Sequence, residues 1–287
     1  MSILSGLGKF GLGDLEGQKL YDDKTSADKK NQEPAVVVEK APEEMDFLYE
    51  KKYTCPVCGE EFTALTIRTG KVHVKKVDMD LKPNYEQVDE IKYDIIACPD
   101  CGYAALGRYF NALTARQIDE IRNKICMHYK PQKEKKNVYT YKDARERYQL
   151  ALANAIVKSA KDSEKAYLCL KTAWLIRGET GSLIQGQTPD YEAKKAQNDE
   201  EESELLKNAL DGLVLARQKE DFPIAGMNTM TLDYLLAALY LETDQYDYAS
   251  KMIGEILVSR TANSHMKDRA RDLKDLLDKK KKAAVKK

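Results

Sequence analysis

The chain has 287 residues, of which 33% are charged, and its 47 basic and 47 acidic side chains give a formal net charge of zero. This length allows two domains, and the composition is typical of a helix-rich protein with a heavily solvated surface. No apolar run approaches the roughly 20 residues that a membrane-spanning helix needs. The balanced charge argues against a nucleic-acid-binding domain, which usually carries a basic face.

The first part of the chain is acidic and poor in apolar side chains. Residues 1–50 carry 6 basic and 11 acidic side chains. The stretch Asp22–Glu44 is rich in Lys, Asp, Glu, Pro and Ala, a composition that buries too little apolar surface to fold. Val36–Val38 could add as a strand or dock on a partner, but a flexible linker is the simpler interpretation.

From Phe47 onward the pattern predicts short β-strands. Glu61–Thr69 and Lys71–Asp80 both place apolar residues among polar ones, and Gly70 between them predicts a hairpin turn. Tyr93–Ala97 adds a third apolar run. We therefore expect a small antiparallel sheet with a cysteine pair at each end. His73 is expected to face solvent.

Two cysteine pairs share one local sequence. Cys55-Pro-Val-Cys58-Gly recurs as Cys98-Pro-Asp-Cys101-Gly. In such a turn both sulfurs point at one centre, and the glycine accommodates a left-handed backbone conformation. Four thiolates satisfy the tetrahedral preference of zinc and leave no position open for water, so the sequence predicts one structural Zn²⁺ ion.

Two other roles for the cysteine pairs stay open at this point. They could form a redox switch that loses zinc on oxidation, or a thioredoxin-like dithiol, although the latter lacks a βαβ context. Cysteine pairs of this kind in a chain without a signal peptide indicate metal binding in a reducing compartment, so we expect a cytoplasmic protein.

After Gly107 the apolar period becomes helical. Thr114 is a plausible N-cap for a helix carrying Ile118, Ile121 and Ile125. From residue 138 the chain is predicted to form five or six helices. Three of them share one spacing of large and small residues, listed here: Tyr141, Ala144, Tyr148 and Ala151; Leu206, Ala209, Leu213 and Ala216; and Tyr246, Ala249, Ile253 and Ile256.

This spacing is similar to that of the tetratricopeptide repeat, in which small residues admit a close neighbouring helix. The match is good for Leu236–Ile256, and Gly178–Asp190 interrupts it earlier. Trp174, Cys126 and Cys169 are expected to pack in the core. The acidic run at residues 199–202 is expected to be a solvated helix face.

The predicted fold class is α+β and mostly α, with a small antiparallel zinc-ribbon-like domain followed by a tetratricopeptide-like helical array. The expected segments are a flexible acidic segment (1–46), the zinc-ribbon-like domain (47–110), a connecting helix and linker (111–137), the helical domain (138–280) and a basic tail (281–287).

The combination resembles a known bacterial family. The stretches TCPVCGEEFTALTIRTGK, YDIIACPDCGYAALGRYF and EKAYLCLKTAWLIRGE, with the opening GLGKFGLGDLEG, resemble the family called domain of unknown function 2225. The resemblance covers nearly the whole chain. It implies a cytosolic protein with a zinc-binding head and a tetratricopeptide-like tail, and it implies no reaction.

Two functions compete. The first is a binding or adaptor protein that holds a protein or peptide on its helical domain. No phosphate-binding glycine loop, nucleophile elbow or histidine pair indicates an enzyme, so we expect no catalysis. The second is nucleic-acid binding or a transcription-associated role through the zinc domain and the basic tail. Its candidate contacts are Arg68, Lys71, Lys75, Lys76, Tyr103, Arg108, Tyr109 and Phe110.

Overall fold

The computed structural model describes residues 43–132 and 135–285, with side chains as far as residue 283. Residues 1–42 of the predicted flexible acidic segment and the last two lysines lie outside the described residues. The end of that segment is described, and Glu44–Phe47 forms a 3₁₀ turn. In the described part no helix has the combination of length and apolar character that crossing a bilayer requires. The predicted fold class is confirmed: helices dominate, and the strands are short and confined to residues 48–106.

Within the described residues, three two-stranded antiparallel sheets are each formed by strands adjacent in sequence. Their strands are β1 (Leu48–Thr54) with β2 (Glu61–Ile67), β3 (Val74–Val77) with β4 (Pro83–Tyr85), and β5 (Ile95–Ala97) with β6 (Ala104–Leu106). Short 3₁₀ turns at Glu44–Phe47 and Glu90–Tyr93 precede β1 and β5. Each cysteine pair therefore lies in the turn of its own hairpin.

The predicted hairpin at Gly70 is wrong. β2 pairs with β1, in a register that places Thr54 opposite Glu61, and not with β3. The reason is that the turn at the first cysteine pair itself reverses the chain, which aligns the strands on either side of it. Gly70 does adopt a positive φ of 77°, but Val74 and Val77 after it are 50% and 43% exposed. The valine alternation therefore does not mark a buried strand face.

The helices occupy most of the remaining chain. Their bounds are α1 (Ala115–Ile121), continued by a π-helical turn (Arg122–Cys126), α2 (Tyr141–Val157), α3 (Asp162–Ser182), α4 (Tyr191–Lys219), α5 (Thr229–Glu242), α6 (Tyr246–Val258) and α7 (Ser264–Val285). Thr114 caps α1 as predicted, in a capping box with Gln117, and Thr140 caps α2 in the same way with Asp143. Successive helices from α2 to α7 pack on one another.

The small residues of the shared spacing lie at the helix contacts. Ala144, Ala209, Ala216 and Ala249 are all fully buried. Trp174 is buried as expected. Small side chains at these positions let neighbouring helices approach closely, and the bulky residues between them fill the remaining space.

The prediction that the acidic run at residues 199–202 is a solvated face is wrong for half of it. Asp199 and Glu200 are exposed. Glu201 instead forms an ion pair with Arg145, and Glu202 binds Arg177 at 2.6 Å. The cause is the crossing of α3 and α4, which turns one side of the run toward arginines on neighbouring helices. Cys126 and Cys169 are half-buried.

The tight α3–α4 contact makes a testable difference between two helical glycines. A Cβ on Gly212 would lie 2.8 Å from Cβ of Ala166, whereas a Cβ on Gly254 would meet no atom within 4 Å. Gly212→Ala should therefore lower the free energy of unfolding by about 1–2 kcal/mol through overpacking. Gly254→Ala should raise it by about 0.5–1 kcal/mol through helix propensity.

Urea titration of the two variants and the parent chain measures both effects. Equal effects of the two substitutions would contradict the close crossing of α3 and α4.

Candidate metal centre

The two cysteine turns have the same backbone geometry. The amide of Gly59 donates to the carbonyl of Cys55 at 2.9 Å, and the amide of Gly102 donates to the carbonyl of Cys98 at 3.1 Å. Both glycines have positive φ, 84° and 75°. Glycine adopts this left-handed conformation without steric cost, which is why the turn requires a glycine after the second cysteine.

The four predicted ligands lie together. The sulfur atoms of Cys55, Cys58, Cys98 and Cys101 are all within 4.8 Å of one another. The sulfurs of Cys55 and Cys101 are 3.6 Å apart, and those of Cys58 and Cys98 are 3.7 Å apart. Four sulfurs at about 2.3 Å from a tetrahedral zinc ion are separated by about 3.8 Å. The donor set and its spacing therefore fit such an ion.

The electrostatics of the cluster also favour a cation. Hydrogen bonds from the thiols of Cys101 and Cys98 lower the pKa of Cys55 below its usual value. The same contact with Cys55 raises the pKa of the Cys101 thiol. Sulfurs this close cannot all ionise while they repel one another, and a divalent cation at their centre removes that obstacle.

Three residues that sequence reasoning did not identify hold the turns in place. Arg122, in the π-helical turn, donates from Nε and Nη2 to the carbonyl of Val57 at 3.0 and 2.6 Å. Asn154 on α2 donates from Nδ2 to the carbonyl of Gly102 at 2.9 Å. The ring of Tyr129 lies directly over Gly102. Asn154 could have been noticed as a polar residue on the apolar face of α2.

A compact apolar cluster surrounds the sulfurs. Its aromatic members are Phe62, Tyr103 and Phe110, and Ile121 joins it from α1. Tyr103 stacks near Phe110 with 5.0 Å between ring centroids, and its hydroxyl donates to the Phe110 carbonyl. This cluster buries Cys55, Cys98 and Cys101, whereas Cys58 is exposed.

His73 is exposed, as expected. Among the described residues, the four cysteines are the one group of three or more His, Cys, Asp or Glu side chains arranged to hold a metal. The site offers thiol ligands alone.

The fold and the site together define a mostly helical protein whose head, residues 48–110, carries a four-cysteine cluster arranged so that it could hold a metal ion. The chain belongs to the DUF2225 family, described as an uncharacterized protein conserved in bacteria, whose model matches residues 48–277. The resemblance found in the sequence is thereby confirmed. Neither the curated proteins nor the solved structures contain a match to this chain.

Loss of one ligand should unfold the head of the protein. Cys58→Ser leaves three thiolates, and metal coordination contributes about 10 kcal/mol or more to folding in small modules. We expect lower zinc content, measured by atomic emission, and collapse of the dispersed amide NMR signals of residues 48–110. Cys169→Ser is the matched control, because Cys169 lies on α3 outside the cluster. A dispersed spectrum without zinc would refute the structural role.

The contact of Tyr129 with the second turn predicts unequal costs for one substitution. A Cβ on Gly102 would overlap the Tyr129 ring at 2.4 Å, whereas a Cβ on Gly59 would meet nothing within 4 Å. Both alanine variants carry the backbone strain of positive φ, about 1 kcal/mol or more, but only Gly102→Ala must also displace the ring. Zinc release to a competing chelator should be at least about tenfold faster from Gly102→Ala than from Gly59→Ala. Equal rates would contradict the packing of Tyr129 on the turn.

Proposed function

We propose that this protein is a zinc-stabilised adaptor that holds another protein or peptide on its helical array and catalyses no reaction. The observation that carries the proposal is the complete set of four thiol ligands. Thiolates fill every position of a tetrahedral ion, so a substrate has no coordination site on it. The metal then stabilises the head, and the protein acts through surfaces that bind a partner.

Zinc is the proposed ion, one per chain and structural. Soft thiolate ligands in a tetrahedral arrangement select zinc among common cellular metals, with iron as the other candidate for such a site. The six cysteines are all free thiols. Unpaired cysteines of this number support a reducing compartment, and we assign the protein to the cytoplasm on that ground.

The helical array supports a binding role. The α5–α6 pair carries the small and large residues of the tetratricopeptide spacing at its contact, with Ala237 and Ala249 fully buried. Stacked helix pairs of this kind form extended surfaces on which partner segments bind. The proposed partner is therefore a protein or peptide.

The nucleic-acid hypothesis loses several of its candidate contacts. Tyr103 and Phe110 are 0% and 1% exposed, so their rings have no face free for a base. The guanidinium of Arg108 donates to the carbonyl of Ala225 and stacks on Tyr167. Lys71 and Lys75 remain exposed.

Crosslinking and mass spectrometry on the full zinc-loaded chain distinguish the two functions. We expect captured protein whose crosslinks map to exposed lysines of the array, such as Lys207, Lys251 and Lys274, and whose recovery survives nuclease treatment. The Cys169→Ser chain keeps all four metal ligands and should capture the same protein as the parent chain. Repeated recovery of no protein would contradict the adaptor role. Nuclease-sensitive recovery through Lys71 and Lys75 would favour the nucleic-acid role.

A further inference from the structure

The loop that joins β3 to β4, Asp78–Lys82, is buried or half-buried against the helices even though β3 itself is exposed. Asp80 is 1% exposed and Lys82 is 4% exposed, whereas every residue of β3 is exposed. The strands β3 and β4 pair with each other and with no other described strand. We call residues 78–82 the tip loop. It is held by side chains of the helices and not by a sheet.

Arginine and tryptophan side chains bind the tip loop. Trp174 Nε1 donates to one carboxylate oxygen of Asp80 at 2.8 Å, and Arg177 Nη1 lies 2.9 Å from the same oxygen. Arg269 on α7 donates to the backbone carbonyl of Asp78 at 2.9 Å. Burial alone would lower the pKa of Arg177, but the carboxylates of Asp80 and Glu202 outweigh it and raise that pKa.

Apolar contacts complete the binding. Met79 and Leu81 pack against the buried cluster of α5, α6 and α7, which contains Tyr234. The ring of Tyr234 lies 4.9 Å from the guanidinium of Arg269, and the buried Tyr234 hydroxyl donates to no acceptor among the described residues. We call Trp174, Arg177, Tyr234 and Arg269 the docking face.

Three features distinguish this contact from ordinary core packing. The docking face recognises a short linear segment through a carboxylate, a backbone carbonyl and two neighbouring apolar side chains, as receptors for peptides do. Leu81 adopts a positive φ of 70°, a strained conformation for a bulky residue. The buried Tyr234 hydroxyl has no acceptor in the part of the chain that the structure describes.

From these contacts we propose that the docking face is the partner-binding surface of the protein, that it accepts an acidic–apolar peptide segment, and that the tip loop occupies it in the absence of the partner. The tip loop contains the motif Asp-Met-Asp-Leu at residues 78–81, in which carboxylates alternate with apolar side chains. A partner segment is expected to carry the same alternation. A partner segment that also offers an acceptor to Tyr234, without a strained leucine, would displace the loop. This inference rests on the proposed adaptor function and specifies its surface.

Displacement requires that the tip loop leave without unfolding the protein. When Asp80 departs, Arg177 keeps its ion pair with Glu202 at 2.6 Å, so no arginine is left buried without a carboxylate. The strands β3 and β4 can move together because they pair only with each other. Local openings of this kind have lower free energies than global unfolding.

A peptide added in trans tests the proposal. The probe is a fluorescein-labelled, backbone-cyclised peptide of residues 74–85, and binding to the full zinc-loaded chain is measured by fluorescence anisotropy. Asp80→Ala in the chain weakens the tip loop and leaves the docking face intact. We expect it to bind the probe at least about tenfold more tightly than the parent chain, because an occupied site lowers apparent affinity by its free fraction. The proposal is overturned if the parent and Asp80→Ala chains bind the probe equally, or if neither chain binds it.

Two controls make the result specific. Glu86→Gln removes one negative charge from an exposed residue just after β4 and should behave as the parent chain. A probe with Asp80→Asn should lose most of its affinity for the Asp80→Ala chain, because the carboxylate no longer pairs with Arg177. If the Asp80→Ala chain loses its zinc or its helix content, an Asp80→Asn chain, which keeps the side-chain size, is used instead. That chain should bind the probe more tightly than the parent chain does.

The probe is part of this chain, so the test is independent of partner capture. Probe binding without a captured partner would show that the tip loop can be displaced by an acidic–apolar segment, and would remove the adaptor role. A captured partner without probe binding would keep the adaptor role and place its surface elsewhere.

Discussion

The convergence of four sulfur atoms is the constraint on which the head of this protein depends. The two cysteine turns are separated by about forty residues, yet their sulfurs lie within 4.8 Å of one another. Each turn is closed locally by an amide of glycine, so the positions of its two cysteines are set within five residues of the chain. Bringing the two hairpins together costs loop-closure entropy, and a metal ion shared by the four sulfurs would offset that cost. The segment between the turns, with β3 and β4, is thereby closed into a loop.

The same centre is connected to the helices. The carbonyl of Val57 in the first turn accepts from Arg122, and the carbonyl of Gly102 in the second accepts from Asn154 on α2. Backbone carbonyls in tight turns have few partners within the turn itself, and leaving them buried and unpaired is costly. The helices supply those partners. The orientation of α1 and α2 relative to the hairpins is therefore determined by hydrogen bonds that only the correctly folded turns can accept.

Features encoded within a few residues could be predicted from the sequence. The cysteine turns with their glycines, and the cap of α1 at Thr114, each depend on a local spacing and occur as expected. Strand pairing could not be predicted in the same way. The glycine at position 70 and the turn at Cys55–Gly59 both offered a chain reversal, and the sequence pattern did not show which one the strands used.

Interactions between distant residues were also missed. The pairing of Glu202 with Arg177 depends on the crossing of two helices separated by residues 183–190, and no spacing rule encodes such a contact. The support of the metal centre by Arg122 and Asn154 is of the same kind. These contacts join side chains to other side chains or to backbone groups that are distant in sequence. Many groups in the chain could serve equally well as partners, and only the packing of the helices selects among them.

The neutral net charge of the chain is compatible with the docking face proposed above. The chain is neutral overall, and the cationic side chains of Arg177 and Arg269 face the tip loop. Carboxylates of the same chain lie beside these arginines and cancel their charge, so the net charge gives no sign of a basic surface. Removal of the tip loop would uncover two arginines beside an apolar cluster, a combination suited to a carboxylate flanked by apolar side chains. On this proposal a neutral chain can carry a site for acidic segments, because Asp80 of the same chain pairs with Arg177 and would occupy the site until a partner arrives.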